Sequence, residues 1–306
     1  FFGIKAFHLN DGTMASMTPC RWESIVPALS TMTEQNSLPQ LGIAIGSLGA
    51  VGLDVARRID AGIPGLKLQA VSALHRRRAE DRLKEFHRPI PVLPLPELAE
   101  AADVVVECAP SAVFRQVAES AIQLGRVLIP ISVGALIDNW DLVEKATKTG
   151  ARINIPTGAL VGLDAVRAAA QGTVSRVTII TRKPPAGLAG SSYLINNNIH
   201  VDEITEPTKV FEGTARSGVA AFPANVNVAA ALGLAGIGLD QTMLEIWADP
   251  SIDRNTHSIQ VEADSARMEL KIENVPSKEN PRTGRIVALS IIAALRRLVD
   301  PLTVGS

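Results

Sequence analysis

The chain has 306 residues, 46% hydrophobic and 20% charged, so it holds enough apolar surface for a packed core and is not a disordered polymer. Thirty basic against 31 acidic residues leave a net charge of -1, which argues against a nucleic acid or an anionic membrane as the main partner. Two cysteines, Cys20 and Cys108, make no disulfide framework and fit a reducing, cytoplasmic setting, and no apolar run is long enough to span a bilayer.

Residues 1–38 read differently from the rest. They lack the basic start, continuous apolar stretch and small-residue cleavage site of a secretory signal, and Met14, Met17 and Met32 punctuate them. They are expected to be an extension or leader outside the fold. From residue 41 short apolar runs alternate with helical periodicity. Strands are expected at 41–46, 66–74, 90–93, 103–110, 126–132 and 151–158, with helices at 50–61, 76–86, 95–102, 112–125 and 139–150. Continuous apolar strands separated by helices predict βαβ units, a parallel sheet covered on both faces and a doubly wound, Rossmann-type α/β domain over 39–160.

After Gly158 the pattern changes. A helix over 160–172 leads to a strand, "VSRVTIITRKPP" (174–185), ended by two prolines. Period-two alternation then marks 243–249, 256–263 and 266–273; in the last, Met268, Leu270 and Ile272 face one way and Arg267, Glu269 and Lys271 the other. This predicts a second, smaller α+β domain over 161–279 with a half-exposed sheet. An Ala-rich helix is expected over 223–236, opened by Pro223. The segment 280–306 holds a final helix, with Asn280 as N-cap and Pro281 in its first turn. It is apolar nearly all round and is expected to pack back on the first domain.

The stretch "LGIAIGSLGAVG" (41–52) carries the first chemical signal. Gly46, Gly49 and Gly52 follow a strand and open a helix, the context in which backbone N–H groups and a helix N-terminus cradle a dinucleotide phosphate. Gly46, Ser47, Leu48, Gly49, Ala50 and Val51 are the expected contacts. Gly49 would allow close phosphate approach and Gly52 close helix packing. The second strand ends in "SALHRRR" (72–78), without the carboxylate that binds the ribose 2′-OH of NAD. Arg76 and its neighbours Arg77 and Arg78 are placed to pair with a 2′-phosphate, which favours NADP or use of both cofactors. The competing reading is a solvated basic helix turn.

Six further stretches occur in order: "PTGALVGLDAV" (156–166), "TRKPP" (181–185), "FEGTAR" (211–216), "PANVNVAAALGLAGIG" (223–238), "RNTHSIQVE" (254–262) and "NPRTGRIVALS" (280–290). With the glycine turn they resemble the L-aspartate dehydrogenase family over residues 41–303. The resemblance implies a Rossmann domain with a nicotinamide cofactor, a smaller α+β domain that forms the contact of a homodimer, and hydride transfer converting L-aspartate to iminoaspartate. Iminoaspartate then hydrolyses to oxaloacetate and ammonia or feeds NAD biosynthesis. The resemblance also implies His257 as the catalytic histidine and Asn227 and Ala159 as cofactor contacts. Three departures stand out: Ser47 at the usual first glycine, the unmatched segment 191–208, and "ADSARM" in place of a glycine-containing turn.

An imidazole titrating near neutrality can serve the two proton steps of such a reaction, whereas the alternation that sets His257 beside Ile259 and Val261 equally describes a packed strand histidine. A dicarboxylate substrate calls for cations, and Lys183, Arg182, Arg282 and Arg285 are the candidates. Cys108 reads as a small apolar filler, and the other histidines have no metal-ligand company, so no metal is expected. Two alternatives stay open: another Rossmann reductase of a small dicarboxylate, and a non-catalytic NADP-binding sensor.

Overall fold

The structure is a computed structural model that describes residues 40–223, 226–277, 279–280 and 283–305; the expected leader 1–38 and the candidate Arg282 lie outside the described residues. In chain order it runs β1 (Leu41–Ile45), α1 (Ala50–Asp60), β2 (Leu66–Val71), α2 (Arg76–Leu83), α3 (Leu98–Ala101), β3 (Val104–Glu107), α4 (Phe114–Gln123), β4 (Val127–Pro130), α5 (Val133–Asp138), α6 (Asp141–Thr149) and β5 (Arg152–Ile153). It continues with α7 (Leu163–Ala169), β6 (Val174–Lys183), α8 (Ser192–Asn196), β7 (Thr208–Thr214), α9 (Ala215–Ala221), α10 (Asn227–Ala235), β8 (Thr242–Ala248), β9 (Thr256–Ala263), β10 (Arg267–Glu273) and α11 (Ile286–Arg296).

The first sheet is all parallel, in the order β2-β1-β3-β4-β5. Its central strands are apolar on both faces because helices cover both: all four residues of β3 are buried. On one side Leu53, Val55 and Ile59 of α1 and Ile291 and Leu295 of α11 pack on Ile43, Ile45 and Leu68. On the other, Phe114, Val117 and Ile122 of α4, with Leu98 and Leu142, pack on Val105 and Leu128. The strand order reverses direction between β2-β1 and β3-β4, so a crevice opens at the carboxyl ends of β1 and β3.

The second sheet is mixed, in the order β10-β9-β6-β8-β7, with β6 and β8 parallel and the other pairs antiparallel. Val177, Ile179, Leu244, Ile246, Ile259 and Val261 form its apolar face, packed in one core with Val166 of α7, Val219 of α9 and Leu232 of α10. The segment 191–208 contributes Tyr193, whose ring lies 5.4 Å from Phe211 and 5.0 Å from Phe222, so it closes the core beside β7.

Several boundaries differ from the sequence expectation. Residues 90–93 form only a single parallel bridge, Val92 to Val71, because Pro91 and Pro94 cannot donate to a ladder. The strand expected over 151–158 is reduced to Arg152–Ile153, since Pro156 and the left-handed Gly158 (φ 62°) turn the chain away. The Ala-rich helix begins at Asn227 rather than Pro223. The last helix begins at Ile286, not at Asn280, and Pro281 lies outside the described residues. Before it, Ser277 N–H donates to Thr283 O (2.8 Å) and Arg285 N–H to Val275 O (2.9 Å). Helices α5 and α9 and strand β7 were not anticipated. In α9 the Thr214 side chain caps the helix by accepting from Ser217 N–H, a legible N-cap signal.

The turn between β1 and α1 depends on Gly52. A Cβ there would lie 1.8 Å from the backbone oxygen of Ser47, so helix and turn can approach only without one. Gly52→Ala is expected to destabilise the fold by about 1–3 kcal/mol, as overpacking does, and to weaken dinucleotide binding; urea denaturation and cofactor titration of the same variant check both.

Candidate active site

A groove of 670 Å³ runs along the glycine turn, lined by Ser47, Leu48, Gly49, Ala50, Ala73, Leu74, His75, Arg78 and Arg82. Gly49 is extended (φ -68°), so it is not there for backbone freedom; a Cβ would meet nothing closer than 3.8 Å and would project into open space. The α1 N-terminus points here, with no acidic residue in its first turn. Ser47 replaces the usual glycine without strain, and its Oγ accepts from Gly49 N–H at 3.4 Å. A phosphate therefore fits: free first-turn N–H groups, close approach and favourable dipole coincide.

The arginines divide by helical geometry. Arg78 and Arg82, four residues apart, lie on the α2 face toward the turn, and Arg82 Nη1 donates to Leu48 O at 2.8 Å. Arg76 does not line the groove; its guanidinium pairs with Glu80 at 2.8 Å on the exposed side of the helix. Arg82 was missed in the sequence because it lies a full turn beyond the "RRR" run.

A second cavity, of 200 Å³, lies between the two sheets. Val51, Pro130, Ile131 and Val133 enter it from the first domain, Pro156–Ala159 from the loop after β5, Lys183 from the end of β6, Asn227 from α10, and Asn255 and His257 from the start of β9. Its walls are tied together. Gly134 N–H donates to Asn227 Oδ1 at 3.0 Å, linking α5 to α10. Gly158 N–H donates to Ser290 Oγ of α11 at 3.1 Å, and Asn274 Nδ2 donates to Ala159 O at 3.1 Å. Asn274 is buried, and its Oδ1 has no hydrogen-bond partner among the described residues.

His257 and Lys183 are 4% and 6% exposed, so both face the interior, not solvent. His257 Nδ1 is 3.0 Å from Thr181 Oγ1, also buried. Burial, and secondarily the charge of Lys183, lowers the His257 pKa from 6.5 to about 3. The expected near-neutral titration is thus not a property of the ligand-free site. Period-two alternation sends Arg182 to the opposite face, where it pairs with Asp249 at 3.2 Å and covers the Trp247 ring at 4.6 Å. Arg285 lines not this cavity but a neighbouring cleft of 590 Å³ with Arg57 and Arg58.

Glu107, which the sequence did not single out, is fully buried at the end of β3. Burial raises its pKa, against donors from Ser132 N–H (3.0 Å), Ser132 Oγ (3.1 Å), Ala109 N–H (2.9 Å) and Ile131 N–H (3.2 Å). It clamps the β4–α5 loop that supplies Ile131 and Val133 to the cavity. Burial and Glu107 push the Cys108 thiol well up, so it stays protonated and unreactive at neutral pH.

Residues 164–298 match the family model "Aspartate dehydrogenase, C-terminal", and residues 48–156 match "Homoserine dehydrogenase, NAD binding domain". An L-aspartate dehydrogenase of Bradyrhizobium diazoefficiens is 50% identical over 275 residues, covering 90% of this chain and 98% of that protein. The chain belongs to the L-aspartate dehydrogenase family. Its cofactor is a nicotinamide dinucleotide, NAD or NADP. An L-aspartate dehydrogenase of Methanocella arvoryzae is 42% identical, covering 86% of this chain and 99% of that one. The crystal structure of aspartate dehydrogenase from Thermotoga maritima has a TM-score of 0.64 at 24% identity, covering 87% and 99%, and shows a shared fold. No helix among the described residues is long and apolar enough to cross a membrane.

The buried imidazole makes a pH prediction. An unfolded His257 takes up a proton below about pH 6.5, the folded one only near about 3, so its stabilising contribution is complete above 6.5 and is lost progressively toward 3. At one pKa unit per 1.36 kcal/mol, the loss at pH 5 is about 2 kcal/mol. Thermal midpoints at pH 7.5 and pH 5 are expected to fall further in the wild type than in His257→Asn.

Proposed function

We propose that the chain catalyses NAD(P)-dependent oxidative deamination of L-aspartate, with iminoaspartate as the immediate product. The observation that carries this reading is the cavity in which His257, Lys183 and Asn227 converge at the meeting of the two sheets, continuous in family with L-aspartate dehydrogenases. Gly49, Ala50 and the α1 N-terminus would hold the pyrophosphate, and Ala159 and Asn227 would flank the nicotinamide. When bound, the nicotinamide supplies the acceptor for the hydride that leaves the α-carbon.

Lys183 pairs with a substrate carboxylate. The incoming dicarboxylate offsets the charge of Lys183, and this raises the basicity of the His257 imidazole where it is needed. His257 Nε2 then takes a proton from the substrate ammonium, leaving the neutral amine from which a hydride can depart. Hydride loss leaves an iminium. Once His257 has passed its first proton to solvent, it takes a proton from the water that attacks the iminium carbon and returns it to the amine nitrogen, and ammonia leaves as the carbinolamine hydroxyl loses its proton to give oxaloacetate. The apolar walls Val51, Ile131, Val133 and Val287 limit water access. Arg282, outside the described residues, remains a candidate for the second carboxylate. The chain works as a cytoplasmic homodimer through its second domain, and iminoaspartate not hydrolysed feeds NAD biosynthesis.

Reduction of NADP or NAD followed at 340 nm against a panel of amino acids tests the reading. L-Aspartate is expected to support turnover, and D-aspartate, L-glutamate and L-alanine hardly at all; equal rates with glutamate would overturn it. His257→Asn is expected to lower kcat by about 10²–10⁴-fold with little change in cofactor affinity. A variant with near-normal kcat per folded molecule would make His257 a packing residue.

NADP is expected to bind at least as well as NAD. Arg78 and His75 line the groove beyond Ala73, the strand end holds no carboxylate to repel a 2′-phosphate, and Glu279 on the groove's other side pairs with Arg57 at 3.7 Å. Arg78→Ala is expected to cost about tenfold in NADP affinity and leave NAD nearly unchanged, whereas Arg76→Ala changes neither. Fluorescence titration with both cofactors measures the difference.

A further inference from the structure

His257 has two ring nitrogens, and the chemistry of the site depends on which one faces the cavity. Strand register answers this. In the antiparallel pairing of β6 with β9, Thr181 stands directly opposite His257, and its Oγ1 lies 3.0 Å from Nδ1. Thr181 is 2% exposed and His257 4%, so water does not compete for this bond. We propose that Thr181 is the positioning residue of the reaction: it occupies Nδ1, fixes the ring plane and leaves Nε2 as the atom that exchanges protons with substrate. The proposal rests on the functional reading above and deepens it.

A hydroxyl suits this task because it both donates and accepts. When Nε2 holds the lone pair that takes a proton, Nδ1–H donates to Thr181 Oγ1. After uptake, the imidazolium keeps that Nδ1–H bond unchanged. When the neutral ring carries its hydrogen on Nε2, the Thr181 hydroxyl turns and donates to Nδ1. In the reacting Nδ1–H tautomer the proton enters and leaves at Nε2, and the hydroxyl neither gains nor loses one. Threonine is β-branched, so its χ1 is stiff on a strand and Oγ1 is held in place. A carboxylate at this position would add permanent negative charge and raise the ring's proton affinity whether or not substrate is bound. The neutral hydroxyl adds none, so the charge that activates the imidazole arrives with the dicarboxylate. Lys183, two residues on and on the same face of β6, is the cation that this charge meets.

The rival is that Thr181 merely fills space. Val has nearly the same shape without the hydroxyl, and Ser has the hydroxyl without the methyl, so the two separate packing from hydrogen bonding. Thr181→Val is expected to lower kcat for L-aspartate by about 10–100-fold, with KM for cofactor and aspartate within about threefold; Thr181→Ser is expected to restore kcat to within about threefold of wild type. The second readout needs no turnover. Two-bond 1H–15N spectra of the ligand-free protein, assigned with His257→Asn, are expected to give a hydrogen-bonded Nδ1 resonance in wild type and Thr181→Ser, displaced in Thr181→Val. If Thr181→Val does not fold, Thr181→Ala takes its place in both measurements. Wild-type kcat in the hydroxyl-free variant, or an Nδ1 resonance that does not move, overturns the proposal. A wild type that does not oxidise L-aspartate overturns the functional reading instead, and the spectra then decide the Nδ1 bond alone.

Discussion

The antiparallel register that sets Thr181 against His257 is the constraint on which the site depends. Strand β6 is apolar on its inner face through Val177 and Ile179 and then turns polar at Thr181 and Lys183. Strand β9 runs the other way, with His257 at its start and Ile259 and Val261 behind. Only this register brings the polar ends together. A slip of one residue would send His257 to the open face with Arg182 and Trp247, and would bury Ser258 in its place. The apolar residues hold the register, and the polar ones use it.

The site also needs both halves of the chain. The first sheet ends its central strands at a crevice walled by Ile131, Val133 and the loop 156–159. Side chains of the second half reach across to fasten it. Asn227 accepts from Gly134, Asn274 donates to Ala159, and Ser290 accepts from Gly158. Helix α11 belongs by sequence to the end of the chain, but Ile291 and Leu295 pack in the core of the first sheet. Hydrogen bonds of this kind contribute about 1 kcal/mol each, so their main effect is to set the cavity wall, while apolar burial supplies the stability.

Burial also changes how the histidine works. In water an imidazole titrates near neutrality, but here desolvation and Lys183 hold it neutral. As the base of the proposed reaction, an imidazole so depressed needs something to restore its affinity for a proton. The same low-dielectric walls that depress it magnify the field of an incoming carboxylate. In the proposed reaction, proton uptake is thereby coupled to occupancy by an anionic substrate.

The alternation of short apolar strands with helices was enough to establish the doubly wound first domain, because a fully covered parallel strand leaves a continuous apolar run. The glycine turn was equally legible: close approach of α1 excludes a Cβ at Gly52, and that demand is local. His257, Asn227 and Ala159 were reached through ordered motifs and Lys183 as a cation for a dicarboxylate, and all line one cavity. Arg78 and Arg82 replaced Arg76 in the groove because the direction of α2 against the turn is a tertiary fact. Arg285 was drawn into the neighbouring cleft because the last helix starts only at Ile286, with Arg285 N–H bonded to Val275 O before it. Thr181 opens the "TRKPP" stretch but no role for it was legible there, and Glu107 carried no sequence signal. A threonine in a β-branched strand and an acid after three valines acquire meaning only from what lies opposite. Period and turn chemistry are properties of neighbours along the chain, so sequence determined them; register, the pairing of distant polar groups and the burial that retunes their protons exist only when the sheets close, so tertiary structure decided them.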